Sequence, residues 1–202
     1  MKKVIVILFL AVFFCAFKCI SSAGKTKTFI DNAAENRLLS HVKELQVLTS
    51  KTSKYNNQIV FLIDMKIPSG KNRFFIYDLK ENKIIDQGLV AHGSGSETGI
   101  EGKLKFSNVN NSLSTSLGKY AIGVSYSGQF GKAYKLHGLD KTNSNAYIRN
   151  IVLHKYSEVP YEEQVESICN SFGCPMVNEK YFKRIENIVD NSEKNIILEI
   201  YY

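Results

Sequence analysis

Two residues in the C-terminal quarter of the sequence have types that do covalent chemistry. His154 closes the short apolar run Ile151-Val152-Leu153-His154, and Cys174 sits in Asn170-Ser171-Phe172-Gly173-Cys174-Pro175. Sixteen residues lie between His154 and Ser171, so only the fold can bring the two groups together. A free thiol with a pKa near about 8.5 is only a few per cent thiolate at neutral pH, and a neighbouring imidazole makes it a working nucleophile. Gly173 admits backbone conformations closed to other residues and can turn amide N–H groups toward a developing oxyanion. Pro175 stiffens the far side of the bend, and Ser171 can hydrogen-bond within it.

Rival readings of the same residues stay open at this level. Residues 1–23 have the features of a secretory leader: Lys2 and Lys3, an apolar run over 4–17, and small residues at Ser21 and Ala23. The run is shorter than the ~20 apolar residues a membrane-spanning helix needs, so cleavage after Ala23 is expected, with no stable membrane span afterwards. Cys15 and Cys19 leave with the leader. Cys169 and Cys174 are then the cysteines left in an oxidising compartment, where a disulfide would be the ordinary reading. His92, His137 and His154 stand at or near predicted strand ends, yet no pair of His or Cys has close zinc-ligand spacing, so no metal and no cofactor is expected. His41 falls on a predicted helix, where a solvated or packing role is the simpler reading. The glycines of His92-Gly93-Ser94-Gly95-Ser96 lack the pattern of a phosphate cradle.

Composition bounds the rest. A chain of 202 residues favours one domain with an appendage. Loss of Lys2, Lys3 and Lys18 with the leader lowers the formal net charge from +7 to +4, and the basic residues are scattered. Nucleic-acid binding is therefore unsupported; weak attraction to an anionic envelope polymer is the natural consequence.

The elements that must position the two reactive groups read as follows. Ala34, Leu38, Val42, Leu45 and Leu48 form one helical stripe, capped by Asp31 or Asn32. Strands are predicted over 59–63, 73–79 and 83–91 as an antiparallel meander, with Pro68-Ser69-Gly70 as a turn. Long loops follow over 92–99 and 106–116, of the kind that line binding sites. Further strands are predicted over 119–125, 133–137, 151–155 and 196–202, and helices over 158–168 and from Asn178 to about 189. The fold class expected is mainly β with flanking helices: residues 1–23 a signal peptide, 24–57 a helical extension and 58–202 the catalytic domain.

The ordered motifs resemble those of the murein L,D-transpeptidase catalytic domain family, a branch of the YkuD-like fold. The resemblance rests on His154 followed by Ser171-Phe172-Gly173-Cys174-Pro175, on Val90-Ala91-His92-Gly93-Ser94-Gly95-Ser96, on Phe106-Ser107-Asn108, on Ser116-Leu117-Gly118-Lys119-Tyr120 and on the segment from Leu136 to Leu139. It implies a β-sandwich whose long loops form a cleft around the cysteine, with peptidoglycan stem peptides as partner and substrate, in the periplasm or another extracytoplasmic envelope compartment. It implies Cys174 as nucleophile, His154 as base, Gly173 and Cys174 N–H groups as oxyanion hole, and Ser171 within the turn. His92, Ser94 and Phe172 would shape the substrate cleft. The alternatives are an L,D-carboxypeptidase using the same site, or a non-catalytic envelope-binding domain with a Cys169–Cys174 disulfide. A monomer is expected. Phe172 and Lys155 depart from the broader pattern, which has His before Gly-Cys and often Gly after the strand histidine; the Lys155 cation could favour thiolate.

Overall fold

A computed structural model describes residues 30–202; the proposed leader lies outside the described residues. Two helices, α1 (Asn32–Ser50) and α2 (Glu179–Asp190), flank nine strands: β1 (Tyr55–Asp64), β2 (Phe74–Asp78), β3 (Lys83–Gly88), β4 (Val90–Ala91), β5 (Gly118–Gly128), β6 (Gly131–Gly138), β7 (Val152–Lys155), β8 (Met176–Val177) and β9 (Asn195–Tyr201). The strand order is β3-β2-β1-β9-β5-β6-β7-β8-β4. The mainly β class with flanking helices expected from the sequence is the class observed. Among the described residues no helix is long and apolar enough to cross a membrane.

The predicted single strand over 83–91 is two strands. Leu89 alone separates β3 from β4, yet they stand at opposite ends of the strand order. In a flat sheet, eight steps of about 4.8 Å would put them roughly 38 Å apart, so the sheet must curl back on itself. Arg73 ties the switch together. Its backbone N–H donates to Gly88 O at 3.2 Å, and its Nε and Nη2 donate to Val90 O at 3.0 and 2.7 Å.

Curling encloses one core between the two halves of the sheet. Phe61, Ile63, Phe74, Ile76, Tyr120, Leu136, Leu153 and Leu198 fill it, and Tyr181, Phe182 and Ile185 of α2 close it. Strand β1 shows why its apolar run is continuous: alternate residues face opposite sides. Phe61 and Ile63 enter this core, while Val60 and Leu62 join Phe75, Tyr77 and Ile197 under Leu38, Val42 and Leu45 of α1. Burying each large side chain is worth ~1.5–3 kcal/mol, so α1 is held by its stripe.

Asp31 caps α1, accepting from Ala34 N at 2.7 Å. Arg37 pairs with the buried Asp64 at 2.8 Å, and His41 stacks on Tyr201 at 3.9 Å, the packing one of the two roles expected for it. His41, Glu44 and Glu199 approach one another closely, and the Lys119 ammonium supplies the cation there, 3.1 Å from Glu44 and 3.0 Å from Glu199.

The helix predicted over 158–168 does not form. Val165 is fully exposed while Val159 and Ile168 are buried, so the apolar residues make no helical stripe. The segment lies instead against the Pro68–Gly70 turn: Gln164 N donates to Gly70 O at 2.8 Å and Ile168 N to Ser69 Oγ at 3.2 Å. Val159 and Ile168 join Leu89, Ala91 and Met176 in a third small cluster. Helix α2 starts as expected, with Asn178 capping through Lys180 N at 2.8 Å.

Candidate active site

Strands β7 and β8 pair in parallel with His154 opposite Met176, and His154 N donates to Pro175 O at 3.3 Å. Extending that register two residues back from Met176, ahead of β8, sets Cys174 beside Val152. The Val152 N–H indeed donates to Cys174 Sγ at 3.4 Å, and the thiol donates to Asn150 O at 3.7 Å. Cysteine and histidine therefore sit two residues apart across neighbouring strands, although no hydrogen bond joins them. Catalytic hydrogen bonds are often loose before substrate binds.

The turn before Cys174 is held from three sides. Ser171 N donates to His92 O, and Ser94 N donates to Ser171 O, both at 2.8 Å. Ser171 Oγ accepts the Gly173 N–H at 3.0 Å, the turn hydrogen bond its position suggested. Gly173 has φ +116°, which only glycine adopts without strain. Gly93 packs on it so closely that a Cβ at 93 would stand 2.8 Å from Gly173 Cα and 2.1 Å from Leu113 O.

Histidine 154 is oriented from behind. Its Nδ1 lies 2.9 Å from Lys155 O, and a carbonyl can only accept, so Nδ1 carries the proton and Nε2 keeps its lone pair. The exposed Phe130 ring stacks on the imidazole at 5.1 Å.

Residues 31–198 match the family described as the L,D-transpeptidase catalytic domain. The chain belongs to that family. No curated protein matches it in sequence. Among solved structures it is similar to the L,D-transpeptidase of Xylanimonas cellulosilytica at 13% identity, covering 71% of this chain and 60% of that one, with a TM-score of 0.40. It is also similar to the helical cell shape determining protein Pgp2 of Campylobacter jejuni at 11% identity, covering 85% and 56%, with a TM-score of 0.47. The L,D-transpeptidase of Mycobacterium smegmatis aligns at 8% identity over 72% and 59%, with a TM-score of 0.39. The chain thus spans somewhat over half the length of these proteins.

Within this L,D-transpeptidase domain the electrostatics of the turn differ from the sequence expectation. Burial pushes the Cys174 thiol above its ordinary pKa; the Val152 N–H and the Arg149 and Lys135 charges pull it back. Burial lowers the His154 pKa, opposed by the Lys155 carbonyl, so the imidazole is neutral at pH 7. The Lys155 ammonium does not serve the thiol: it pairs with Glu179 at 2.9 Å.

Other expectations divide. Cys169 and Cys174 are free thiols, Cys169 packed against the Leu89 cluster and Cys174 against the main core. The His92 ring is committed to other partners: Nδ1 accepts from Arg73 Nη2 at 2.8 Å and Nε2 donates to Glu97 at 2.6 Å, the carboxylate that also accepts from Asn170 Nδ2 of the turn at 3.3 Å. Its backbone carbonyl, not its ring, supports Ser171. Ser94 likewise acts through its backbone, and Phe172 is largely exposed. The Gly173 N–H, expected to be free for an oxyanion, is already donated to Ser171; the Cys174 N–H has no acceptor among the described residues. Grooves along α1, between β3 and α2, and beside β5 are lined by neither Cys174 nor His154.

Sequence reasoning missed Arg149. Its Nη1 donates to Ser107 O and Ser116 Oγ at 2.8 and 3.1 Å, and its Nη2 to Ser112 Oγ and Ser114 O at 3.3 and 2.6 Å. One guanidinium thereby fixes the whole loop 107–116 against the cysteine turn. No local motif announces it; the Ser-rich composition of that loop, in need of donors, was the available signal.

Proposed function

We propose that the chain is an extracytoplasmic cysteine acyl-transferase that cross-links peptidoglycan stem peptides as an L,D-transpeptidase, its leader over residues 1–23 removed. The observation that carries this reading is the pair formed by Cys174 on its braced turn and His154 with Nδ1 committed to Lys155 O, Nε2 left to accept a proton. His154 Nε2 takes the thiol proton as Sγ attacks the carbonyl between the third residue and the terminal D-alanine of a tetrapeptide stem. The Cys174 N–H faces the resulting oxyanion, and Gly173 joins it only by giving up Ser171 Oγ. Collapse breaks the C–N bond, His154 returns the proton to the departing D-alanine amine, and a thioester remains on Cys174. A side-chain amine of a second stem, deprotonated by His154, attacks the thioester; the new amide forms and the thiol is regenerated. Water in place of that amine would make the protein a carboxypeptidase.

Intact-mass analysis with a defined tetrapeptide, with and without an acceptor amine, tests the reading. A mass increase on Cys174 with release of D-alanine, discharged by the amine into a cross-linked product, is expected. Cys174→Ala should fold with a wild-type melting curve and form no adduct. Donor turnover by Cys174→Ala at the wild-type rate would sink the mechanism.

A further inference from the structure

The basic residues on the strands around the cysteine turn are almost all neutralised. Lys119 on β5 pairs with Glu44 and Glu199, Lys132 on β6 with Glu186 and Asp190, and Lys155 on β7 with Glu179. Lys135 on β6 is the exception: among the described residues no carboxylate lies within ion-pair distance of it. It is nonetheless held in place. Its ammonium lies 4.9 Å from the Tyr126 ring centroid and 5.7 Å from that of Tyr147, and it donates to Asn150 Oδ1 at 3.3 Å.

Asn150 links this ammonium to the nucleophile, because its backbone carbonyl accepts the Cys174 thiol at 3.7 Å. Lys135 also stands directly opposite Val152 in the β6–β7 pairing, and Val152 N–H is the group that donates to Cys174 Sγ. Arg149, the other cation near the turn, spends its donors on carbonyl and hydroxyl oxygens and has no acid partner among the described residues. The thiol thus faces uncompensated positive charge on a half-buried surface, where an ion pair is screened less than in open water.

We infer that Lys135 is a specificity-determining residue, receiving the free C-terminal carboxylate of the donor peptide and so selecting donors that end in one. The carboxylate of a terminal residue is separated from the scissile nitrogen only by its Cα, so a cation adjoining the nucleophile is where it must be met. The aromatic rings restrain the lysine stem beforehand and reduce the ordering cost of binding. Naming a stem peptide rests on the proposed function; the preference for an anion at Cys174 does not.

Two measurements on the full chain test this separately. In the first, site-resolved alkylation compares iodoacetate with iodoacetamide. Wild type should show a higher iodoacetate-to-iodoacetamide rate ratio at Cys174 than at Cys169, which Glu158 faces. Lys135→Met should lower the Cys174 ratio severalfold and leave the Cys169 ratio unchanged, with Lys135→Arg restoring it. In the second, donor tetrapeptides with a free C-terminus and a C-terminal amide are compared. Lys135→Met should raise KM for the acid about tenfold, leave KM for the amide unchanged, lower kcat by no more than one common factor on both donors, and erase acid-over-amide selectivity. A Lys135→Met protein that loses kcat equally on both donors and keeps its acid-over-amide selectivity, with its pH profile displaced, would show that Lys135 serves only the thiolate and would overturn the inference. An alkylation ratio at Cys174 that Lys135→Met leaves unchanged would overturn it too. If wild type is acylated by neither peptide, the proposed function falls, and the alkylation ratio still decides whether Lys135 receives anions.

Discussion

Replacing Gly173 by alanine probes the cysteine turn with a single methyl group. Its φ of +116° lies beyond the left-handed region that other residues occasionally visit, and holding alanine there costs ~1–3 kcal/mol. The new Cβ would also stand 2.9 Å from Ser114 O and 3.2 Å from Ile151 Cδ1. The isoleucine methyl can yield, but Ser114 O is backbone and is clamped by Arg149 Nη2 at 2.6 Å. Overpacking of this kind adds ~1–3 kcal/mol, for a total of roughly 2–6 kcal/mol. At about 2–4 °C per kcal/mol for a chain of this size, Tm should fall by roughly 4–24 °C. Because the strain sits beside Cys174, the site-resolved iodoacetamide rate should change as well. Arg149→Met frees Ser114 O, so the double variant should lose less stability than the two single losses added together. Scanning calorimetry and alkylation mass spectrometry read both effects. A Gly173→Ala protein with wild-type Tm and wild-type Cys174 reactivity would refute the turn geometry described here.

Two further predictions concern the frame. Arg73→Met leaves Val90 O, Ile67 O and His92 Nδ1 without their donor in a buried site, and should cost about 3–5 kcal/mol in urea unfolding; a loss under about 1 kcal/mol would show that Arg73 does not hold the β3–β4 switch. Burial lowers the pKa of both His92 and His154, with the Arg73 charge adding to the effect at His92. Their contribution to stability is therefore present above the unfolded histidine value of about 6.5 and is lost as pH falls toward the lower folded values. The urea midpoint should drop between pH 7 and pH 5, and the drop should be smaller in His154→Gln; a flat midpoint across that window would contradict neutral burial.

Much of the local structure was legible. The stripe from Ala34 to Leu48, the caps at Asp31 and Asn178, and the apolar run of β1 each declare themselves within a few residues, because capping and face alternation are short-range effects. The segment over 158–168 misled for the converse reason: Pro160 and nearby acids fit a helix start, but helices persist mainly by burying a stripe, and this segment has none. The split of 83–91 at Leu89 was equally hidden, since both pieces are good strand sequence and only curling of the sheet sends them apart.

The site divides along the same line. Sequence alone pointed to the proposed Cys174–His154 pair, the glycine that lets the turn form and the serine that closes it, because those choices depend on residue type and short spacing. Tertiary structure decided the parallel β7–β8 pairing that brings Cys174 beside the histidine strand, and the commitment of the His92 ring to Arg73 and Glu97. It also decided which cations face the thiol. Lys155, one residue from the histidine, is neutralised by Glu179, while Lys135 and Arg149 act on Cys174 from another strand and another loop. A charge acts through space, and whether it is already neutralised depends on partners far away in the chain.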